Sequence, residues 1–384
     1  MEKQYKYRIY PSREQRAQIM ANFGCVRFVY NHYLKKRTAL YKADKTTMSL
    51  SECGRDLTQL KKAPGYEWLA QADDNSLRYA LKDLDKAFSA FFNSLKKTKA
   101  PTAFVSTLTG FPQLKSKREN RQSYRSKNNT VRQSIELFDN KIKLPKLGYV
   151  KCKVSRPIEG RIVSATITQV PSGKFFATVC CTDITASPPL SSFPEKSIGI
   201  HMGIKTLATL SNGIEYENHR AFEKSRKKIS RLNRSMSRKP KDSNNREKAR
   251  IKLALAYEKM TNQRNDYIHK LTTKLVREYD NISIRNEKFK SSKPWFAKQI
   301  NYAGWAAFAK QLEYKAAWQG KQVNKISPCH PCVGVCSTCG EKHPAKKLPE
   351  LWTCPNCNSI RNRNINTAKN IEKYASSTAG QVES

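Results

Sequence analysis

The sequence predicts an α+β multidomain protein, on three observations. The period of the apolar residues changes several times along the 384 residues, from two to 3.6 and back. The run Ile198-Gly199-Ile200-His201-Met202, apolar apart from His201, reads as a buried strand between long helical patterns. Six of the eleven cysteines lie between Cys329 and Cys357 in C-x-x-C pairs, the spacing of a small metal-stapled domain. A chain of this length can hold two to four cores.

In chain order, Tyr5 to Tyr10 alternates like a strand and stops at Pro11. Ser12 then caps a helix through Gln15, Ile19 and Phe23 that runs on to Leu34. A second helix starts at Asn75, with Leu77, Leu81, Leu84, Phe88 and Phe91 on one face and Arg78, Lys82 and Lys86 around the others. Residues 110–127 carry Lys115, Lys117, Arg118, Arg121, Arg125 and Lys127 against Glu119 alone. With Phe111 and Tyr124 interleaved, this stretch fits either a loop that tracks phosphates and stacks a base or a disordered basic linker. Short strands follow from Ser134 to Thr182, with a hairpin turn at Pro171-Ser172-Gly173. Ser187 to Pro194 reads as a linker.

Ile198–Met202 and Leu207–Leu210 form the next hairpin, ending on the turn signal Asn212-Gly213. Glu217 to Asp280 is helical, with one break at Lys239–Ser243. Residues 220–254 hold fourteen Lys or Arg against three acids, so a coiled-coil pair lacks its compensating charges. A basic helical hairpin lying along a nucleic-acid duplex, with Lys227, Lys228, Arg231 and Arg234 outward, suits the pattern better. Asn281–Asn286 is a buried strand, Trp305–Gly320 an amphipathic helix and Val323–Ile326 a last short strand.

Lys and Arg total 72 against 31 acids, a net charge of +41, which points to a polyanionic partner. No apolar run is long enough to span a membrane, and Met1–Tyr10 has no signal-peptide core, so the expected location is the bacterial cytoplasm, at the nucleoid. Thiols stay reduced there, which makes the cysteine cluster a metal candidate. Cys336-x-x-Cys339 and Cys354-x-x-Cys357 bring four thiolates into a tetrahedron suited to one structural Zn²⁺ with no open position. Cys329-x-x-Cys332 is a third, competing pair.

Several words in the chain are specific. Y-R-I-Y-P, C-V-R-F-V-Y-N, S-L-R-Y-A-L-K-D-L-D-K-A-F, G-F-P-Q-L-K-S-K-R and W-A-A-F-A-K-Q-L-E-Y-K-A-A-W-Q-G-K resemble TnpB, the transposon-encoded RNA-guided nuclease, over about residues 3–374. The resemblance assigns the zinc to the two later pairs, because C-S-T-C-G aligns with the first knuckle of the family's ribbon. It also implies an architecture. Residues 1–10 and 121–187 form a wedge-type β-barrel and 11–120 a helical recognition lobe. Residues 195–326 and 361–374 form an RNase H-like (RuvC) α/β core with a basic insertion at 217–280, 327–360 an inserted zinc ribbon, and 375–384 a disordered tail. Implied readers of a short flanking DNA motif are Arg27, Tyr30, Asn31, Ser76, Arg78, Tyr79 and Lys82, with Arg78 where the family favours glutamine.

The family's three metal carboxylates fall on His201, Arg285 and Asn364. Magnesium needs hard anionic oxygens, and these offer a nitrogen, a permanent cation and a neutral amide. Glu287 lies two residues beyond Arg285, about 6.6 Å along a strand, too far to substitute for the lost ligand. The charge, basic helices and cysteine set are all retained. The sequence therefore resembles the nuclease-dead TldR group, which implies a guide RNA, target double-stranded DNA, no catalytic Mg²⁺, and repression by competing with RNA polymerase at a promoter. The alternatives are an active endonuclease with an atypical metal site and an unguided RNA-binding accessory protein.

Overall fold

The computed structural model describes residues 2–98, 110–117, 121–129, 131, 133–184, 196–219, 221–286, 294–327, 330–344 and 348–379. Arg118, Glu287, Cys329, the 187–194 linker and residues 380–384 of the expected tail lie outside the described residues. The chain divides into two compact units, Met1–Thr185 and Ala186–Ser384.

The first unit opens with strand β1 (Lys3–Tyr10) and helix α1 (Arg13–Asp44). Ser12 and Gln15 exchange side-chain and backbone hydrogen bonds in a capping box that satisfies two of the free N–H groups at the helix start. Helix α2 (Leu50–Leu60), a 3₁₀ turn (Glu67–Gln71) and helix α3 (Asp74–Thr98) follow. Leu77, Leu81, Leu84 and Phe88 of α3 are buried as their spacing predicts, each stabilising the unit by about 1.5–3 kcal/mol.

Strands β2 (Gln122–Lys127), β3 (Glu136–Phe138), β4 (Lys141–Leu144), β5 (Gly148–Lys153), β6 (Arg161–Gln169) and β7 (Phe175–Thr182) join β1 in one antiparallel seven-stranded sheet. Its order is β2-β6-β7-β1-β5-β4-β3. The β6–β7 hairpin turns at Pro171-Ser172-Gly173, where Gly173 takes a φ of 80°. One expectation fails at β2: residues 122–127 are strand rather than loop, and Tyr124 is 3% exposed, edge-on to Phe23 of α1. Alternation along β2 turns Tyr124 and Ser126 into the core and Arg125 and Lys127 outward, so Tyr124 has no face left for a base.

The second unit begins with β8 (Ser197–Met202), β9 (Thr206–Leu210) and β10 (Glu215–Glu217). The Asn212-Gly213 turn serves a second hairpin, β9–β10, beyond the expected β8–β9 one. Helices α4 (Ala221–Ser237) and α5 (Asn244–Glu278) pack through Ile229, Leu232, Met236, Leu253 and Met260. Then come β11 (Asn281–Arg285), α6 (Pro294–Ala303), α7 (Trp305–Trp318) and β12 (Gln322–Ile326). A ribbon of β13 (Leu351–Thr353) and β14 (Ile360–Asn362) precedes α8 (Arg363–Ala379).

The main sheet is ordered β10-β9-β8-β11-β12, with β11 parallel to both neighbours. Ile198, Ile200, Met202, Ile282 and Ile284 form one core with Ile268, Leu275, Phe308 and Leu312 of α5 and α7. The other face of β8 meets α8. A Cβ on Gly199 would stand 2.1 Å from the Ala368 carbonyl oxygen, so only glycine lets helix and strand approach this closely. Helix α8 also runs five residues into the expected tail, to Ala379, because Ala375 is buried with Ile371, Ile326 and Cys332. Among the described residues no helix is long and apolar enough to cross a membrane.

Candidate functional site

The four expected cysteines converge. One sulfur from each of Cys336, Cys339, Cys354 and Cys357 lies within 4.8 Å of the others, and two of the pairs stand 3.7 and 3.5 Å apart. Tetrahedral Zn²⁺ with bonds of about 2.3 Å needs sulfurs about 3.8 Å apart, so the donors fit one structural zinc. Burial opposes ionisation of Cys336, but N–H donation from Cys339 and Thr338 outweighs it and lowers the thiol to about 6, toward the ligating thiolate. Cys332 does not compete for the metal: it is fully buried in a separate apolar cluster with Ile371.

Helix α8 carries this knuckle. The Asn366 amide donates to the Val335 carbonyl (2.6 Å) and accepts from the Ser337 N–H (2.9 Å). Asn370 donates to the carbonyls of Cys332 (3.0 Å) and Val335 (2.8 Å). Asn362 caps the helix, its Oδ1 accepting from the N–H groups of Asn364 (2.9 Å) and Ile365 (3.2 Å).

The three positions expected for metal carboxylates belong to elements that meet at one end of the sheet. Ile284 pairs with Ile200 in parallel register, so Arg285 and His201 are the next residues along β11 and β8. The period of two puts His201 on the same face as Gly199, under α8, and Arg285 on that face of β11. The α8 side chain that acts on His201 is Arg363, one residue before Asn364. Burial lowers the imidazole to about 4, helped by the charges of Arg285 and then Arg363. His201 is thus neutral at pH 7 between two cations. This donor set does not suit magnesium, which needs the hard anionic oxygens that the family's carboxylates would supply. Among the described residues, the four cysteines are the one set of three or more His, Cys, Asp or Glu close enough to share an ion.

Basic surfaces occur on both units. In the first, Arg78, Tyr79 and Lys82 line a cleft of about 520 Å³ together with Arg55, Asn75 and Lys127. The Lys82 and Arg125 charges lie 5.6 and 5.2 Å from the Tyr79 ring centre. Arg27, Lys115 and Arg121 border a smaller cleft of about 130 Å³. Lys117 and Arg125 are exposed. Three of the expected motif readers instead support the scaffold. Ser76 is 1% exposed and donates to the Asp73 carbonyl, while Tyr30 is buried beneath the Lys115 ammonium. The Asn31 amide is taken up in both directions by the Lys115 backbone (2.9 and 2.8 Å), which holds the basic loop in place. In the second unit Lys227, Lys228, Arg231 and Arg234 are exposed along α4. The last two line a cleft of about 450 Å³ with Arg238 and Lys239.

Sequence reasoning missed one surface. Tyr10, Lys151, Lys141 and Phe138 stand in cross-strand register over β1, β5, β4 and β3, all exposed, with Tyr149 edge-on to Phe138 at 5.3 Å. Lysines between exposed rings suit a phosphate backbone with unstacked bases. The alternation of lysines with Ile142, Val150 and Cys152 was the available signal, but the row exists only once the strand order is known.

Comparison with known proteins places the chain among relatives. A protein-family model described as "Probable transposase" matches residues 180–290, and one described as "Cas12f1-like, TNB domain" matches 305–371. A "Helix-turn-helix domain" model matches residues 1–46, which here fold as β1 and α1. The chain is 32% identical over 379 residues to a "Putative RNA-guided DNA endonuclease" of Streptomyces pristinaespiralis, covering 96% of this chain and 88% of that protein. It is 28% identical to the "Putative RNA-guided DNA endonuclease InsQ" of Escherichia coli (strain K12), covering 96% and 90%. In fold it is similar to the protein of a Cas12f1-sgRNA-target DNA complex, with a TM-score of 0.62 at 14% identity over 97% of this chain and 98% of that one.

Proposed function

The chain belongs to the TnpB/IS605 OrfB family of transposon-associated RNA-guided endonucleases, and we propose that this member keeps guided DNA binding but has lost the nuclease. The observation that carries the proposal is the group His201, Arg285 and Arg363, with neutral Asn364, where family members need carboxylates. Two-metal hydrolysis requires anionic oxygens to hold both ions, and permanent positive charge in their place opposes their entry.

In this reading a guide RNA pairs with one strand of target double-stranded DNA, and the protein reads a short flanking duplex motif itself. The seven-stranded sheet serves as the wedge-type barrel and α1–α3 as the recognition lobe. The β8–β12 sheet with α8 is the RuvC-like core, and α4–α5 its basic insertion. Arg27, Arg78, Tyr79 and Lys82 are the motif readers left at the surface; Lys115, Lys117, Arg121 and Arg125 extend their basic face. The row Tyr10, Lys151, Lys141 and Phe138 is an RNA-binding surface of the first unit, and α4 is a separate one of the second. The zinc knuckle anchors α8 and does no chemistry. A stable R-loop over a promoter then excludes RNA polymerase at the nucleoid.

The test sequences the co-purified RNA, maps chromosomal occupancy, and incubates the complex with guide-matched duplex and Mg²⁺ or Mn²⁺. Occupancy at sites matching the RNA's 3′ end, beside one fixed motif and without cutting, is expected. Guide-dependent cleavage would establish the active endonuclease instead, and occupancy unrelated to the RNA an unguided RNA-binding protein.

A further inference from the structure

The outer face of the seven-stranded sheet carries two cation pairs that strand pairing alone disfavours. Arg8 of β1 stands directly across from Lys153 of β5, and Lys151 of β5 directly across from Lys141 of β4. Like charges facing each other across strands destabilise a sheet. Among the described residues none of the four makes an ion pair with a carboxylate. Arg8 is held by rings instead. Its guanidinium carbon lies 5.2 Å from the centre of the Tyr10 ring and 5.5 Å from that of Phe176, its cross-strand neighbour on β7. Its Nε is buried and donates to no acceptor, so packing on the two rings, not hydrogen bonding, fixes the group.

The rings at the ends of the row are open. Tyr10 is 48% exposed; Phe138 and Tyr149 are 46% and 55% exposed although they meet edge to face. Tyr10 and Phe138 stand three strand spacings apart, about 14 Å, with Lys151 and Lys141 between them. A paired RNA helix keeps its base faces stacked and is held through phosphates and 2′-hydroxyls, so exposed rings add nothing to its grip. Unpaired bases stack on such rings, and sheet faces with exposed aromatics are a known way of reading them.

We infer that this face takes an unpaired segment of RNA, with bases stacked on Tyr10 and Phe138 and with Arg8 as a fixed phosphate clamp. The Nη groups of the planar guanidinium fork onto two phosphate oxygens, and the rings that support it keep it from swinging away. Lys151 and Lys141 neutralise the phosphates between the two stacked bases. The like-charged pairs that weaken the bare sheet are thereby joined by an anion. The inference rests on the reading of this row as an RNA-binding surface and adds which form of RNA it selects.

The experiment uses the full-length, zinc-loaded protein, stripped of co-purified RNA in high salt. Fluorescence anisotropy follows a labelled unstructured RNA, a duplex RNA of the same length and a single-stranded DNA of the same sequence, each across a salt series. Tyr10→Leu and Phe138→Leu, both at exposed positions, should keep the wild-type unfolding midpoint. Each should weaken binding of the unstructured RNA about tenfold, within the range for one stacked base, and leave duplex binding unchanged. Arg8→Gln should lower the slope of log K against log salt by about 0.7, one single-strand phosphate. Arg8→Lys, which keeps the charge but not the fork, should retain the slope and lose part of the affinity. Lys141→Gln/Lys151→Gln tests the underlying reading and should weaken both forms of RNA. If that variant weakens binding while the ring variants match wild type, or lose single strand and duplex alike, the inference is overturned and the RNA surface stands. If the lysine variant also binds as wild type does, both are overturned. A loss in the ring variants confined to the DNA strand would assign the face to DNA and likewise overturn the inference.

Discussion

His201 lies partly buried between two guanidinium groups, and this makes one acid-side prediction specific. Its folded pKa of about 4 lies below the unfolded value of about 6.5, so the unfolded chain binds the extra proton between those values. Above pH 6.5 the residue costs nothing; as pH falls toward 4, stability is lost, by on the order of 3 kcal/mol once both states are protonated. The expected result is a thermal unfolding midpoint for wild type that drops more steeply from pH 6.5 to 4 than that of His201→Gln. Parallel profiles would refute it. Residue identities at 201, 285 and 364 were legible in the sequence because the resemblance places carboxylates at these three positions and none is present. That Arg363, not Asn364, acts on the imidazole was not, because it depends on where Asn362 caps α8 and so on the helical phase.

At the scale of elements, two buried asparagines join helix α8 to the knuckle. Helix α8 packs its apolar side on β8 and uses Asn366 and Asn370 to hold the chain before Cys336. Asn366→Leu removes the acceptor of the half-buried Ser337 N–H and one of the two amide donors to the Val335 carbonyl, which keeps Asn370, a loss of about 1–3 kcal/mol. The expected outcome is faster zinc release to a chromogenic chelator, with RNA content unchanged; an unaltered release rate would show that α8 does not brace the knuckle. The cysteine spacing made the knuckle legible, whereas its brace was hidden, because asparagines at i and i+4 look like any polar helix face. The same limit applies at β2, where a dense run of cations masked the period of two that buries Tyr124 and Ser126.

For the whole molecule, charge decides behaviour in salt. Replacing Lys227, Lys228, Arg231 and Arg234 with glutamine should leave the unfolding midpoint unchanged, since all four are exposed. If α4 lies on RNA, the log K against log salt slope for the co-purified RNA should fall by about 3, four single-strand contacts; an unchanged slope would place the RNA elsewhere. The alternation from strand to helix made most elements legible, but strand order follows from long-range pairing that no local pattern encodes. That pairing also sets a timetable. Ile198 and Ile282 are hydrogen-bonded neighbours separated by 282 − 198 = 84 positions, with α4 and α5 between them. At about 5–20 residues per second of synthesis, β8 waits about 4–17 s for its partner to leave the ribosome. For that interval its apolar edge is open to any other nascent chain. The growing polypeptide meanwhile extrudes its most basic segment beside that edge, so any RNA bound there during translation would shield the half-made sheet.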